Sequence, residues 1–111
     1  MVRIKEFASI CDCSIYTLRY YDEIGLLIPQ VVDHDSGYRF YKEEQVNEYL
    51  EIKQFQEIGF SIKEILNLKN MSHQEIANQI MNKIKDIQKL LDSAYILKNK
   101  YLNEVENDES F

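Results

Sequence analysis

The chain has 111 residues, 45% of them hydrophobic, and a net charge of −6, which suits one small domain carrying an extended element and leaves little room for a deep-pocketed enzyme. It has no run of about 18 apolar residues to span a bilayer, and its start, MVRIKEFASI, is charged at Arg3, Lys5 and Glu6 where a signal peptide needs an apolar core, so a cytoplasmic protein is expected. The acidity argues at first against a nucleic-acid partner. However, residues 1–42 are close to neutral, with Arg3, Lys5, Arg19, Arg39 and Lys42 set against Glu6, Asp12, Asp22, Glu23, Asp33 and Asp35. Affinity for DNA depends on which cations reach phosphates rather than on the sum over the chain.

In chain order, Ile4, Phe7, Ala8 and Cys11 recur at helical spacing and predict a short amphipathic helix over 4–10. Ser14 is a good N-cap for a second helix through Ile15, Leu18 and Tyr21, which Gly25 stops. The intervening Cys11-Asp12-Cys13 is long enough only for a turn, where Asp12 tolerates a left-handed backbone. Two short helices joined this tightly form a helix-turn-helix. Pro29 prevents helix beyond Leu26, and Asp33-His34-Asp35-Ser36-Gly37 is a turn cluster followed by strand-forming Tyr38-Arg39-Phe40-Tyr41. Residues 28–32 and 38–41 are therefore expected to form a β-hairpin with positive φ at Gly37.

A third helix is expected over 43–57, with Val46, Tyr49, Leu50, Lys53 and Ile58 on one stripe and Gly59 at its end. Ser61-Ile62-Lys63-Glu64 has capping-box spacing and opens a fourth helix that ends near Lys69. Ser72-His73-Gln74-Glu75 repeats that spacing, and no Pro or Gly follows it. Ala77, Ile80, Ile84, Ile87, Leu91, Ala94, Tyr101 and Val105, with Lys98 as the one interruption, recur alternately three and four apart. Such a seam, sustained over about four heptads, asks for a second helix, and an identical chain is the simplest source. Folding back on its own domain is the duller alternative. The helix is expected over 72–106, with 107–111 as a polar, frayed tail.

The second helix can act as a major-groove reader, because Ser14, Tyr16, Thr17, Arg19 and Tyr20 lie away from its Ile15/Leu18/Tyr21 core face. Arginine bridges guanine acceptors or clamps a phosphate, and tyrosine hydroxyls donate to phosphate oxygens. The hairpin then forms a wing with Tyr38 and Arg39 facing the nucleic-acid backbone, while Tyr21 and Phe40 are assigned to the core. For Arg19 and Arg39 the competing reading is solvated surface, since burial without a partner is disfavoured.

Thr17-Leu18-Arg19-Tyr20-Tyr21-Asp22-Glu23-Ile24-Gly25-Leu26-Leu27 resembles the signature of the MerR family of bacterial transcription regulators. The spacing to Gly37-Tyr38-Arg39-Phe40-Tyr41, and the later Ile58-Gly59-Phe60-Ser61-Ile62-Lys63-Glu64-Ile65, are similar as well. The resemblance implies a mainly α fold: a winged helix-turn-helix over residues 1–70 with a small β-hairpin wing, then a long coiled-coil dimerisation helix paired antiparallel in a homodimer. It implies binding to double-stranded promoter DNA, with RNA polymerase engaged through the promoter. The dimer would bend and untwist the region between the −35 and −10 elements, using DNA deformation as the switch.

By the same resemblance, Arg19 and Tyr20 match DNA-contacting positions of the recognition helix, Tyr38 and Arg39 match wing phosphate contacts, and Tyr16 and Thr17 sit where base choice varies. Lys42 stands where a Ser or Thr cap is common, which puts the first turn of the third helix in question. Asp12 replaces a common glycine. Metal-sensing members carry thiols near the end of the dimerisation helix, and this chain has no cysteine after Cys13.

Cys11 and Cys13 cannot complete a tetrahedral metal site, and His34 and His73 form no ligand pattern with them, so packing is their expected role and neither metal nor cofactor is expected. No nucleophile–base pair or carboxylate cluster points to catalysis. Two further readings remain. The chain could be the N-terminal portion of a longer multidrug- or ligand-responsive regulator, which the stretch Val31–Arg39 resembles, or it could be an interaction module joined through its coiled coil.

Overall fold

The computed structural model describes residues 1–109. They divide into two compact units, Met1–Asn70 and a second that begins at Met71. In the first unit, β1 (Val2–Arg3) leads into α1 (Ile4–Cys11) and α2 (Ile15–Glu23). The wing strands β2 (Val31–Val32) and β3 (Arg39–Tyr41) follow, then a 3-10 turn over Glu43–Gln45, α3 (Val46–Glu57) and α4 (Ile62–Leu68). The second unit is α5 (His73–Glu109).

The turn between α1 and α2 is built from local bonds. Asp12 takes φ 55°, and the amides of Asp12 and Cys13 donate back to Ser9 O at 3.2 Å and Ala8 O at 3.0 Å. That pairing caps the carbonyls α1 would otherwise leave orphaned. Gly25, at φ 78°, ends α2 in the same way, with the Leu26 amide donating to Tyr21 O at 2.8 Å. The left-handed backbone is what favours glycine there. At the start of α2, Ser14 Oγ accepts from the Thr17 amide at 3.0 Å. Ser61 and Glu64 close their capping box reciprocally, and so do Ser72 and Glu75.

The hairpin is real but shorter than expected, and it gains a partner. β3 is the central strand of three, paired antiparallel with β1 on one side and β2 on the other. The two residues of β1 are too few to show alternation, so their pairing depends wholly on the edge that β3 offers. Residues 28–30 do not join the sheet, because Pro29 has no amide to donate and the Ile28 carbonyl is taken by Gln45 Nε2 at 2.7 Å. At the tip, the Asp35 amide donates to Asp33 Oδ1 at 2.9 Å and Gly37 takes the expected positive φ of 74°.

The core is centred on α1, which packs against α2, α3 and β3. Tyr41 is fully buried, its ring stacked on Phe7 with centroids 4.4 Å apart, among buried Leu18, Tyr21, Leu26 and Leu27. Phe40, which the sequence placed in the core, is only half-buried. Successive strand residues face opposite sides, and the inward side of β3 belongs to Tyr41.

The third helix also differs from expectation. Its first turn, 43–45, is 3-10, and Lys42 supplies no side-chain cap. Gln45 Oε1 instead accepts from the Lys42 amide at 2.9 Å. The buried stripe runs through Tyr49 and Ile52, whereas Leu50 is exposed. α5 continues through Glu109, three residues past the expected end at 106, so it takes in Asn107, Asp108 and Glu109 of the tail expected to fray. Ser110 and Phe111 lie outside the described residues.

Burial, followed by the neighbouring Cys13, pushes the Cys11 thiol up to about 11. Burial above all pushes Tyr41 and Tyr49 up to about 12. Each group holds its proton more tightly folded than unfolded, so its stabilising contribution is complete at neutral pH and is lost as pH climbs from 9 towards 12. The Tm measured by circular dichroism should therefore fall steeply across that interval. Tyr41→Phe should flatten the fall. Because the buried Tyr41 hydroxyl has no hydrogen-bond partner, the same change should raise neutral-pH stability, by about 1–3 kcal/mol.

Candidate nucleic-acid interface

α2 separates its side chains cleanly. Leu18 and Tyr21 are buried, while Tyr16, Arg19 and Tyr20 are exposed on the opposite side, Tyr16 at 81% and Tyr20 at 50%. Ser14 and Thr17 are tied to each other, their hydroxyls 2.9 Å apart. The N-terminal corner of the helix is thus held by its own cap, which leaves Arg19 and Tyr20 as the extended polar groups facing water.

The wing is organised by two contacts that link residues far apart in sequence. Arg39 Nε donates to Asp22 Oδ2 at 2.7 Å, joining β3 to the last turn of α2. Both side chains are partly exposed, at 33% and 20%, so the pair is worth on the order of 1 kcal/mol after screening. Its main consequence is geometric: it fixes the wing relative to the recognition helix while using only Nε of the guanidinium. The second contact sets the Arg3 guanidinium over the Tyr38 ring, 4.0 Å from its centroid. Arg3 pairs with Phe40 across β1 and β3, so Tyr38 is its diagonal neighbour, within reach of a long side chain.

The sequence-derived residues therefore fall into three groups. Arg19, Tyr20 and Tyr16 share the exposed side of α2. Tyr38 and Arg39 lie on the wing, where Arg39 is engaged rather than simply solvated. Ser14 and Thr17 serve the helix cap. Arg3 was missed, because the only signal for it is a two-residue strand recognisable once β3 is in place. Tyr21 is core, as expected.

On α5, Ile84, Ile87, Leu91, Tyr101 and Val105 of the seam are exposed large apolar residues, Ala77 and Ala94 are exposed as well, and Ile80 is half-exposed. Lys98, which interrupts the seam, carries its ammonium 4.6 Å from the Tyr95 ring centroid and so moves its charge to one side. Leu90, Tyr95, Ile96, Leu97 and Leu102 are exposed too, so the apolar surface between residues 90 and 102 is wider than the seam alone.

Near the start of α2, Cys11 is buried and Cys13 half-buried, both as free thiols. Both thiols are pushed up, burial being the main cause. Among the described residues no group of three or more His, Cys, Asp or Glu is placed to hold a metal ion, and no helix is long and apolar enough to cross a membrane.

A capped recognition helix, its preceding helix and a three-stranded wing define a winged helix-turn-helix unit. The model for the MerR HTH family regulatory protein matches residues 2–72, and the chain belongs to that family of transcription regulators. Over 96 residues it is 34% identical to the mercuric resistance operon regulatory protein of Bacillus cereus, covering 81% of this chain and 72% of that protein. It is also 34% identical over 88 residues to the multidrug-efflux transporter 2 regulator of Bacillus subtilis, covering 78% of this chain but only 32% of that regulator. Among solved structures it is similar to EcmrR in an EcmrR–DNA complex within an RPo assembly, at 34% identity and a TM-score of 0.59, covering 93% of this chain and 39% of that one.

Removing Arg3 or Asp22 should loosen the wing without unfolding the unit. Arg3→Ala should cost about 0.5–1 kcal/mol through the lost cation–π contact, and Asp22→Ala on the order of 1 kcal/mol, both read from urea unfolding.

Proposed function

We propose that the chain acts as a homodimeric, sequence-specific DNA-binding transcription regulator and not as an enzyme, with the cytoplasm as its place of action. The observation that carries this is the coexistence of two surfaces. One is the exposed Arg19/Tyr20 side of a capped recognition helix, tied through Asp22 and Arg39 to a wing that also presents Arg3 and Tyr38. The other is a 37-residue helix, about 55 Å long, whose apolar seam is exposed.

Arg19 and Tyr20 reach base edges or phosphates in the major groove, with Tyr16 and Thr17 as candidates for base choice. Tyr38, Arg39 and Arg3 hold the flanking backbone. The α5 helices of two chains pair antiparallel along Ala77, Ile80, Ile84, Ile87, Leu91, Ala94, Tyr101 and Val105. Two units fixed in one dimer would grip two half-sites, and their backbone contacts can then be set against the cost of bending and untwisting the DNA between the −35 and −10 elements. RNA polymerase is engaged through that promoter geometry.

A second reading makes these residues the DNA-binding portion of a longer ligand-responsive regulator. It is favoured by the chain spanning 32% of the multidrug-efflux transporter 2 regulator.

Genomic fragments retained by the purified protein, once sequenced, should contain palindromes within promoters. Binding to such a probe should weaken steeply with salt, log K falling by about 0.9 per phosphate neutralised for each decade of salt. Arg19→Ala should cost about 1–3 kcal/mol of affinity. Salt-insensitive retention, or unchanged specific binding after removal of Arg19, Tyr38 and Arg39 together, would sink the proposal. Sedimentation should give a dimer, and Ile87→Asp with Leu91→Asp should shift it to monomer.

A further inference from the structure

Much of the exposed apolar surface of α5 lies beside its seam and not on it. With Ala77 at heptad position a, the seam occupies a and d, while Met81, Tyr95 and Leu102 fall at e and Leu90 and Leu97 at g. All five are more than half exposed, and e and g are the positions that border a coiled-coil seam. From their pattern we infer that the flanks of α5 select one register of pairing with a second copy of this chain. The pair is antiparallel, with its two-fold axis passing between Asp92 and Ser93. This rests on the homodimeric reading above and adds which residues meet.

Two antiparallel helices are numbered in opposite directions, so one contact fixes all the others. To keep seam against seam, one chain can slide along the other only by whole heptads. With the axis between Asp92 and Ser93, Lys83 meets the partner's Glu104 and Leu90 meets the partner's Leu97 on the g side. On the e side, Met81 meets the partner's Leu102 and Gln88 meets the partner's Tyr95. Charge thus meets opposite charge, and apolar meets apolar.

A slip of one heptad undoes this in either direction. An axis at Lys89 sets Lys83 against the partner's Leu97 and Ile76 against the partner's Glu104. An axis at Ile96 sets Leu90 against the partner's Glu104 and Gln88 against the partner's Leu102. Each slip loses the ion pair and partly withdraws a charged group from water against an apolar side chain, which is costly. Parallel pairing fails differently, because it faces Lys98 with the partner's Lys98 inside the seam and Glu104 with the partner's Glu109. In the selected register Lys98 faces the partner's Ile87. Its ammonium lies to one side, 4.6 Å from the Tyr95 ring centroid, so its methylenes can cover that isoleucine. Among the described residues, Ile96 alone of the exposed large apolar side chains of α5 stays outside the pairing.

The register also sets reach. Since α5 begins at His73, the two helix starts stand about 60 Å apart, and one heptad of slip changes that by about 10 Å. The change is about a third of a DNA turn, so the flanks decide which half-site separation a dimer fits.

The test uses the full chain, with sedimentation giving its state of association. Carbodiimide, which joins an amine to a carboxylate in contact, should produce a Lys83–Glu104 link identified by peptide mass spectrometry. That link can only join two chains, because the two residues lie about 30 Å apart along one helix. Lys83→Glu and Glu104→Lys should each raise the dimer dissociation constant on the order of tenfold, as two ion pairs per dimer become like-charge contacts. Lys83→Glu combined with Glu104→Lys should return it to within about threefold of the parent, since the swapped charges meet again. Circular dichroism shows that each variant remains helical.

A monomeric parent overturns the homodimeric reading and the register with it. A dimer in which Lys83 and Glu104 do not link, or whose double variant is as weak as the two single changes combined, overturns the register and leaves the dimer standing. A tetramer, in which the apolar flanks would join separate dimers, overturns it as well.

Discussion

The winged unit depends on Tyr41 lying flat on Phe7. One ring belongs to the strand at the centre of the sheet and the other to the first helix, and both are withdrawn from water. A stacked pair of this size contributes through buried area and ring geometry together, and it reinforces the link that β1 already makes between α1 and β3. With β3 held there, β1 and β2 have an edge on each side, and α2 acquires a floor for Leu18 and Tyr21. The wing and the recognition helix become one surface because their inner sides share one core.

Polar contacts then set orientation at the rim. The Arg39–Asp22 pair is too exposed to matter much for stability, yet it fixes which way a wing arginine points. Arg3 over Tyr38 does the same for an aromatic ring on the wing. In a chain of net charge −6, the proposed DNA binding would depend on such local ordering more than on the total charge, because phosphate binding responds to cations held in place. At the turn, burial keeps the two thiols neutral.

α5 obeys a different constraint. Its apolar residues are spaced for a partner and remain exposed along the helix, so within one chain its sequence is only half satisfied. A wide apolar surface of this kind marks an interaction site, and the placement of Lys98 against Tyr95 shows how one charge is accommodated on that surface without breaking its continuity.

Sequence alone determined what depends on neighbours three to five residues apart. The Ser14 cap, the capping boxes at Ser61–Glu64 and Ser72–Glu75, the left-handed turn at Asp12, the positive φ of Gly37 and the heptad spacing of α5 are all local chemistry, readable before any fold exists. The exposed candidates Arg19, Tyr20 and Tyr38 were legible for the same reason, as polar tips on a face opposite the apolar one. The tertiary structure decided the rest. Strand β1, the core position of Tyr41 rather than Phe40, the burial of Ile52 rather than Leu50, and the partners of Arg39 and Arg3 were invisible because each depends on a contact between segments distant in the chain. The choice of face is made when two surfaces meet, and a periodicity carries that information only for one of them.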